Sequence, residues 1–513
     1  MARDEMLVIL DVSTTVIRAG VGVHEIIRAP TAVTRFLSGL TLQEVSTRVG
    51  KRPSNTTASN GSTPTPQLND YLVGNALLQA ERSGESLEIV RPFQNGPRGF
   101  QVVDWLATEA LFRYIFHTAL ALVRPPLAHP CLLSIPPHLN PVVVDHFHAL
   151  LFERLLIPQL LVATRPFFAA AAAGVLSAAI VDIGARGDGL DISIVHESQV
   201  VEAATLSLPL DEGVLDDWAC LLLLQEDPTL PSQIVPADQS GNAGALVQAL
   251  RRIVELLKAK NVIGFAPAAI GNASSTAVEE NEGDFDVAKA IVEGKVDKIV
   301  GKKKANAQDE EAIGDVIELP SPLDAEKTIK VGPARRRYFD PLFAPQLLQQ
   351  LRPSASPEAA LLTLTEYEGR EVLHTGIQEA IGLVINQVED VEQRRLIWES
   401  IVIVSVGKLA TNKTLGAALI PQLEPYVIDP DSGSESQPKI VKYARTPDYF
   451  SEFKERSGEL AVYLGSCIMA KILISDLQSR LFMVIYIMAY LKQSKVDYTN
   501  KGPAFYRQLE KTM

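Results

Sequence analysis

Residues 7–23 read LVILDVSTTVIRAGVGV, and residues 177–198 read SAAIVDIGARGDGLDISIVHES. Each begins as an apolar run that ends in an acid, Asp11 in the first and Asp182 in the second. Each then turns through small or polar residues, Ser13–Thr14–Thr15 in one and a glycine-rich stretch in the other, and resumes β-branched character. Apolar runs bounded by turn residues predict strands, and a strand–turn–strand plan used twice predicts a duplicated architecture. Phosphate binding is the chemistry such a unit suits. Turn amides can donate to phosphate oxygens, and a strand-end carboxylate can orient water on a metal ion that prefers oxygen ligands and keeps much of its hydration. One strand-end acid is a common turn residue. Two in repeated units point to a central cleft.

Outward from these units, strand and helix patterns alternate. Helical spacing covers 103–122, HPCLLSIPP (129–137) predicts a buried strand, and Asn140 caps a helix running to about Leu155 with Pro141 at its first position. LLVAT (160–164) is a strand leading into an Ala-rich helix over 166–175. Further on come a helix from Gly376 to about Val388, a very apolar strand from Ser400 to Gly407, and a final helix from Glu459 to Ile474. The class is α/β. Two segments interrupt the pattern. GKRPSNTTASNGSTPTPQ (50–67) and the charged stretch from Asn272 to Ile317 bury too little apolar surface to offset ordering entropy. A mobile loop over 45–68 and a disordered insertion over 272–317 are expected.

The chain has 513 residues, 47% of them hydrophobic, which is more than one compact domain holds. Its net charge of −13 argues against a sequence-independent nucleic-acid binder, which carries a basic face, so no direct nucleic-acid contact is expected. Cys131, Cys220 and Cys467 lie far apart without metal-ligand spacing and read as reduced, buried thiols. The N-terminal MARDEM has no basic region ahead of a long apolar stretch, so no signal peptide is expected. LFMVIYIMAYL (481–491) falls short of the roughly 20 residues that cross a bilayer, and no membrane span is expected.

Seven segments, in order along most of the chain, resemble the actin family. LDVSTTVIRAGVG looks like its first phosphate loop and VDIGARGDGLDISIV like its second. NDYLVGNAL (69–77) is similar to DSYVGDEA, and RPFQNGPRGFQVVDW (91–105) to the family's proline–glycine–tryptophan segment. HPCLLSIPPHLNP resembles HPVLLTEAPLNP, GIQEAI (376–381) matches the GIHE helix start, and VYLGSCIMA (462–470) resembles WIGGSILA. The resemblance implies a two-lobed fold of duplicated ribonuclease-H-like domains. The first lobe would be 1–165 plus 471–513, and the second 166–470.

It also implies an ATP cleft, here degenerate. Asp11, Ser13, Thr14, Thr15, Arg18, Asp182, Gly184 and Gly407 are the residues carried onto it. Side chains at Ser13–Thr14–Thr15 restrict backbone approach where actin has flanking glycines, although the related heat-shock ATPases use a GTT turn. Arg18 keeps a positive charge where actin has a phosphate-contacting lysine, and Arg186 and Gly187 look like an insertion in the second loop. The adenine-side motif SGGTT is reduced to Ser405–Val406–Gly407–Lys408. Actin's water-positioning glutamine is matched by Arg165, which cannot accept a hydrogen bond, and its histidine by Ile192. His196 is displaced by four residues on that strand, roughly 13 Å. The resemblance therefore implies no hydrolysis and no required cofactor, and leaves ATP with Mg2+ open as a structural ligand.

Among nuclear actin-related proteins the pattern most resembles the fungal class-nine group, whose complexes are SWI/SNF and RSC. The partners implied are the helical HSA segment of a remodeller ATPase and a second actin-related protein, in the nucleus. The partner cleft carries over to Gly174, Met469 and Ile472. An ATP-hydrolysing actin-like protein or filament former is the alternative, and a chaperone or sugar kinase of the same superfamily a further one. A kinase needs a general-base carboxylate, and none is assignable. His146 and His148, two apart on a helix, face different ways and do not read as a metal pair. Lys302–Lys304 and Arg335–Arg337 read as solvated loop charges or import patches. The stretch 477–493 has no family counterpart and reads as retained intron sequence or an extra helix.

Overall fold

A computed structural model describes residues 5–24, 41–53, 66–96, 99–122, 129–236, 239, 241–265, 316–322, 327–352, 354–362, 374–426, 440–446, 451–475 and 492–503. The chain divides into two compact units, Met1–Glu212 with Leu383–Thr411 and Ile428–Met513, and Gly213–Gly382 with Asn412–Val427.

In the first unit the two quoted motifs become hairpins. The strands run β1 (Glu5–Val12), β2 (Val16–His24), β3 (Thr41–Ser46), then short β4 (Val49–Lys51), β5 (Tyr71–Val73) and β6 (Glu88–Val90). A hairpin of β7 (Phe93–Gly96) and β8 (Gly99–Val102) follows, then β9 (Cys131–Ile135), β10 (Gln159–Thr164), β11 (Ala178–Ile183), β12 (Leu190–His196) and β13 (Gln199–Leu208). The second unit holds the hairpin of β14 (Ile317–Pro320) and β15 (Thr328–Val331); β16 (Ile401–Ser405) and β17 (Lys492–Ser494) return to the first.

Sheet order exposes the duplication. One sheet runs β17-β10-β9-β1-β2-β3, the other β13-β12-β11-β16. In each, an antiparallel three-strand meander is followed by a parallel neighbour on the same side, β9 beside β1 and β16 beside β11. Asp11 pairs with Arg18 across its hairpin, and Asp182 with Asp191 across the second. The acids thus occupy equivalent positions.

Period-2 alternation explains why β1 is apolar throughout. Val8, Leu10 and Val12 enter one core with Phe112 and Phe147, while Leu7 and Ile9 enter another with the Ala-rich helix and Ile180 of β11. A strand buried on both faces reads as a continuous apolar run. The Ala-rich helix is Arg165–Ala173, and it packs on the helix Ala461–Ser475 in that second core. Gly465 permits the crossing, since a β-carbon there would lie 1.8 Å from the Phe168 carbonyl oxygen. Asn140 caps the helix Pro141–Ala149 as expected, its side chain accepting from the Val142 amide at 2.9 Å.

Some expectations are redrawn. The loop expected from residue 45 starts later: Val45 and Ser46 complete β3, and β4 pairs with β5 and β6, its Val49 wholly buried. Apolar Val45 and Val49 fall at core-facing positions, which composition over a longer window averages away. Residues 54–65, Lys302–Lys304, the bulk of 272–317 and the run 481–491 lie outside the described residues. Lys492 and Gln493, however, sit in β17, antiparallel to β10. All three cysteines are free and buried. No helix among the described residues is long and apolar enough to cross a membrane.

In the second unit, the helix Ala243–Ala259 lies against the one spanning Glu212–Glu226 through Lys258–Asp216 at 2.9 Å and Arg251–Asp217 at 3.0 Å. Within Arg335–Arg337 the exposure differs from residue to residue, Arg335 being buried, Arg336 half-buried and Arg337 exposed. Arg335 is buried and donates to the Gly332 carbonyl, and Arg337 lies over the Trp218 ring while pairing with Asp340.

Because the Gly465 crossing leaves no room for a side chain, Gly465→Val should destabilise the first unit by about 2–3 kcal/mol. Chemical denaturation reads this directly; a loss under about 0.5 kcal/mol would show that the two helices are not held this close.

Candidate functional site

Arg165 opens the Ala-rich helix immediately after β10, with Pro166 in the first turn, where a missing N–H costs nothing. Its guanidinium reaches both strand-end acids. Nε donates to Asp182 Oδ2 at 2.7 Å and Nη2 to Oδ1 of the same carboxylate at 3.3 Å, while Nη1 donates to Asp11 Oδ1 at 2.6 Å. All three residues are buried. Burial alone would disfavour the guanidinium charge, but the Asp11 and Asp182 carboxylates outweigh it and hold the charged form above the ordinary arginine range.

Arg18, on β2, is the second buried cation. Its Nη1 lies 3.7 Å from Asp11 Oδ2, its Nε donates to Glu44 on β3 at 3.0 Å, and its Nη2 donates to the Val406 carbonyl at 2.5 Å and to Glu459 at 3.1 Å. Arg456 joins Glu44 at 2.7 Å and Glu459 at 2.8 Å. Hydrogen bonds from Arg456 and Arg18 hold the Glu44 carboxyl below the usual range against the opposing effect of burial.

The two turns differ in length. Val12 pairs with Ile17 across the first and Ile183 with Leu190 across the second, so the second turn is two residues longer. The lengthening brings Asp188 back over the first turn, where its carboxylate accepts from the Thr14 hydroxyl. Asn95 donates to the Asp188 carbonyl. Loop amides are used internally: Gly184 donates to the Gly189 carbonyl at 2.8 Å, Asp188 to that of Ala185 at 2.8 Å, and Gly187 to Asp211 Oδ2 at 2.9 Å. In the first turn the Ser13 amide and hydroxyl both donate to the Val16 carbonyl, at 3.1 and 2.8 Å, and the Thr15 carbonyl accepts from the Thr47 amide.

Gly184 and Gly407 are where close approach requires glycine. A β-carbon at Gly184 would meet that of Asp188 at 2.2 Å, and one at Gly407 would meet the Glu212 carboxylate at 1.7 Å. Glu212 therefore lies directly against the residue carried over from the adenine-side motif.

A metal–nucleotide pair does not fit these residues. The contacts of 2.6 and 2.7 Å between the guanidinium and the two carboxylates leave no gap for a hydrated cation. In the second loop the Gly184, Gly187 and Asp188 amides already have acceptors within the protein, and Asp211 and Glu212 add negative charge beside that loop and Gly407. Burial pushes the Asp188 carboxyl up to about 7, with Thr14 and Arg165 acting against the shift and Asp211 and Asp182 adding to it. Asp191 is pushed up to about 6, again mainly by burial.

A family model described as Actin matches residues 3–412. The chain belongs to the actin family. It is 23% identical over 424 residues, 74% of this chain and 73% of the other, to the "SWI/SNF and RSC complexes subunit arp9" of Schizosaccharomyces pombe. It is 30% identical over 150 residues to "Actin-related protein 4" of Arabidopsis thaliana, covering 29% of this chain and 31% of that one. Over 140 residues it is 31% identical to "Actin-like protein 7B" of Rattus norvegicus, covering 27% and 30%.

Within this actin fold the residues carried over by resemblance have distinct positions. Asp11, Arg18, Asp182 and Arg165 converge; Ser13, Thr14, Thr15 and Gly184 form the adjoining turns; Gly407 follows β16 beneath Glu212. Ile192 is buried in the strand, and His196 sits five residues beyond Asp191, bonded to Ser177 at 3.1 Å and roughly 16 Å along β12. His146 lies tilted against Trp105 with ring centroids 4.9 Å apart, while His148 is buried against the Val144 carbonyl at 2.9 Å, so the two histidines have separate packing roles. Gly174 ends the Ala-rich helix in the left-handed conformation, φ 71°, and Met469 is buried on the partner helix. Ile472 lies on that helix, its side chain outside the described residues. Sequence reasoning missed Glu44, Asp188, Glu212, Arg456 and Glu459. Only Asp188 carried a local signal, the lengthened loop.

A carboxyl raised in the folded state binds protons more tightly there than in the unfolded chain, so its contribution is present at low pH and is lost as pH rises through the folded value. Stability should therefore fall between about pH 4 and 7, and Asp188→Asn should flatten the decline by roughly 1 kcal/mol, discounted for partial exposure. Tm measured against pH for both proteins checks this; parallel curves would contradict it.

Proposed function

We propose that this chain is a non-catalytic, nuclear actin-related subunit of a chromatin-remodelling complex. It receives the helical HSA segment of the remodeller's ATPase subunit together with a second actin-related protein. The observation that carries this reading is the similarity to the fission-yeast SWI/SNF and RSC subunit, which spans about three-quarters of both chains. Shorter similarity to a plant actin-related protein agrees with membership of the actin-related group.

Chemistry supports the non-catalytic part. Hydrolysis needs a group that accepts a hydrogen bond from water and aims it at phosphorus, and Arg165 offers only donors, all directed at carboxylates. His196 lies at the far end of its strand and cannot compensate. No cofactor is required for the proposed role.

A cleft beside the Ala-rich helix and the helix Ala461–Ser475, framed by Gly174, Met469 and Ile472, is the surface proposed for the partner helix. An amphipathic helix binds such a cleft through apolar residues at helical spacing, so the subunit influences the motor by holding part of it. Two lobes, 1–165 with 471–513 and 166–470, are the corresponding division of the chain. Contact with nucleic acid would be indirect, in keeping with the net charge of −13.

Affinity purification of the tagged full-length chain from its own cells, followed by mass spectrometry, tests the assignment. A remodeller ATPase and a second actin-related protein are expected among the recovered partners. Recovery without any remodeller ATPase would contradict it.

A further inference from the structure

We infer that the cleft of this chain carries its own counter-ions, Arg165 standing in for a metal cation and Asp188 for a phosphate, so that the two phosphate-loop hairpins are joined without nucleotide. This goes beyond the assignment to a complex and does not depend on it. Failure of the purification test would leave it standing.

Three observations converge. First, the duplicated register delivers Asp11 and Asp182 to equivalent strand positions, where both would be buried. Two buried carboxylates close to one point stay ionised together only with a cation between them. Arg165 supplies it from a third element, with one bond to Asp11 and a bidentate pair to Asp182. A planar guanidinium suits two carboxylates better than a point charge would, because its donors are fixed in a fork.

Second, the turn hydroxyl of Thr14 has an acceptor from within the chain. The longer second loop carries Asp188 across to it, so one carboxylate ties hairpin β1–β2 to hairpin β11–β12. An oxyanion bridging the two turns is the contact a phosphate would make there. Here the bridge is covalently part of the protein, and forming it needs no ligand.

Third, acids stand beside the second loop and the adenine-side glycine. Gly187 donates to Asp211, and Glu212 lies directly against Gly407. A nucleotide at this loop would meet like charge and, at Gly184, Gly187 and Asp188, amides that are already bonded. An incoming divalent cation would have to expel a buried, hydrogen-bonded guanidinium.

Thermal denaturation of the purified full-length chain, with magnesium chloride alone and with Mg-ATP, tests this. Wild-type Tm should not move with either at millimolar concentration. A rise of about 3 °C or more with Mg-ATP would overturn the inference. Arg165→Gln removes the internal cation and leaves the acids facing each other. It should melt well below wild type and be raised by magnesium chloride alone, whereas a variant as indifferent to magnesium as wild type would contradict the role given to Arg165. If that variant does not fold, Arg165→Gln combined with Asp182→Asn, which removes one charge of each sign, should fold. A double variant that is no more stable than the single one would equally overturn the inference.

Discussion

Two carboxylates meeting in a protein interior are the constraint from which the rest follows. The duplicated meander brings Asp11 and Asp182 to matching ends of β1 and β11, and burial makes each costly to leave charged and unpaired. The Arg165 guanidinium resolves both at once. Because Arg165 is the first residue of the Ala-rich helix, the ion pairs also fix where that helix starts. Its small side chains and Gly465 then set how closely the helix Ala461–Ser475 can approach. Arg18 extends the same logic outward, joining Asp11 to Glu44, Glu459 and the Val406 carbonyl, and so linking β2, β3, the segment after β16 and the turn before the last long helix.

Much of this architecture was legible in local patterns. Apolar runs ending in acids gave β1 and β11, Asn140 with Pro141 marked a helix start, and ordered segment matches gave the actin fold. The chemistry of the cleft was legible only in part. That Arg165 cannot position water follows from its donors alone. That it bridges Asp11 and Asp182 does not, since those residues lie 154 and 17 positions away and meet through sheet register. Glu44, Arg456 and Glu459 illustrate the same limit, as Arg456 reaches Glu44 across 412 positions. Asp188 stood in a loop whose extra length was visible, but the length alone did not say which way it folds.

The loop expected from residue 45 shows the opposite error. Composition dominated by Ser, Thr, Asn and Pro concealed Val45 and Val49, two apolar residues that bind its beginning to ordered strands. Low complexity describes a window, whereas pairing is decided residue by residue.

In the reading proposed above, an actin fold that contains its own cation joins its two loops without a nucleotide and serves as a binding subunit. Crystals of the full-length protein grown with Mn2+ and ATP would test this most directly, by anomalous scattering at the manganese edge. Guanidinium density bridging Asp11 and Asp182, with no anomalous peak near either, is the predicted result. A manganese peak within hydrogen-bonding distance of those carboxylates, with Arg165 displaced, would contradict it.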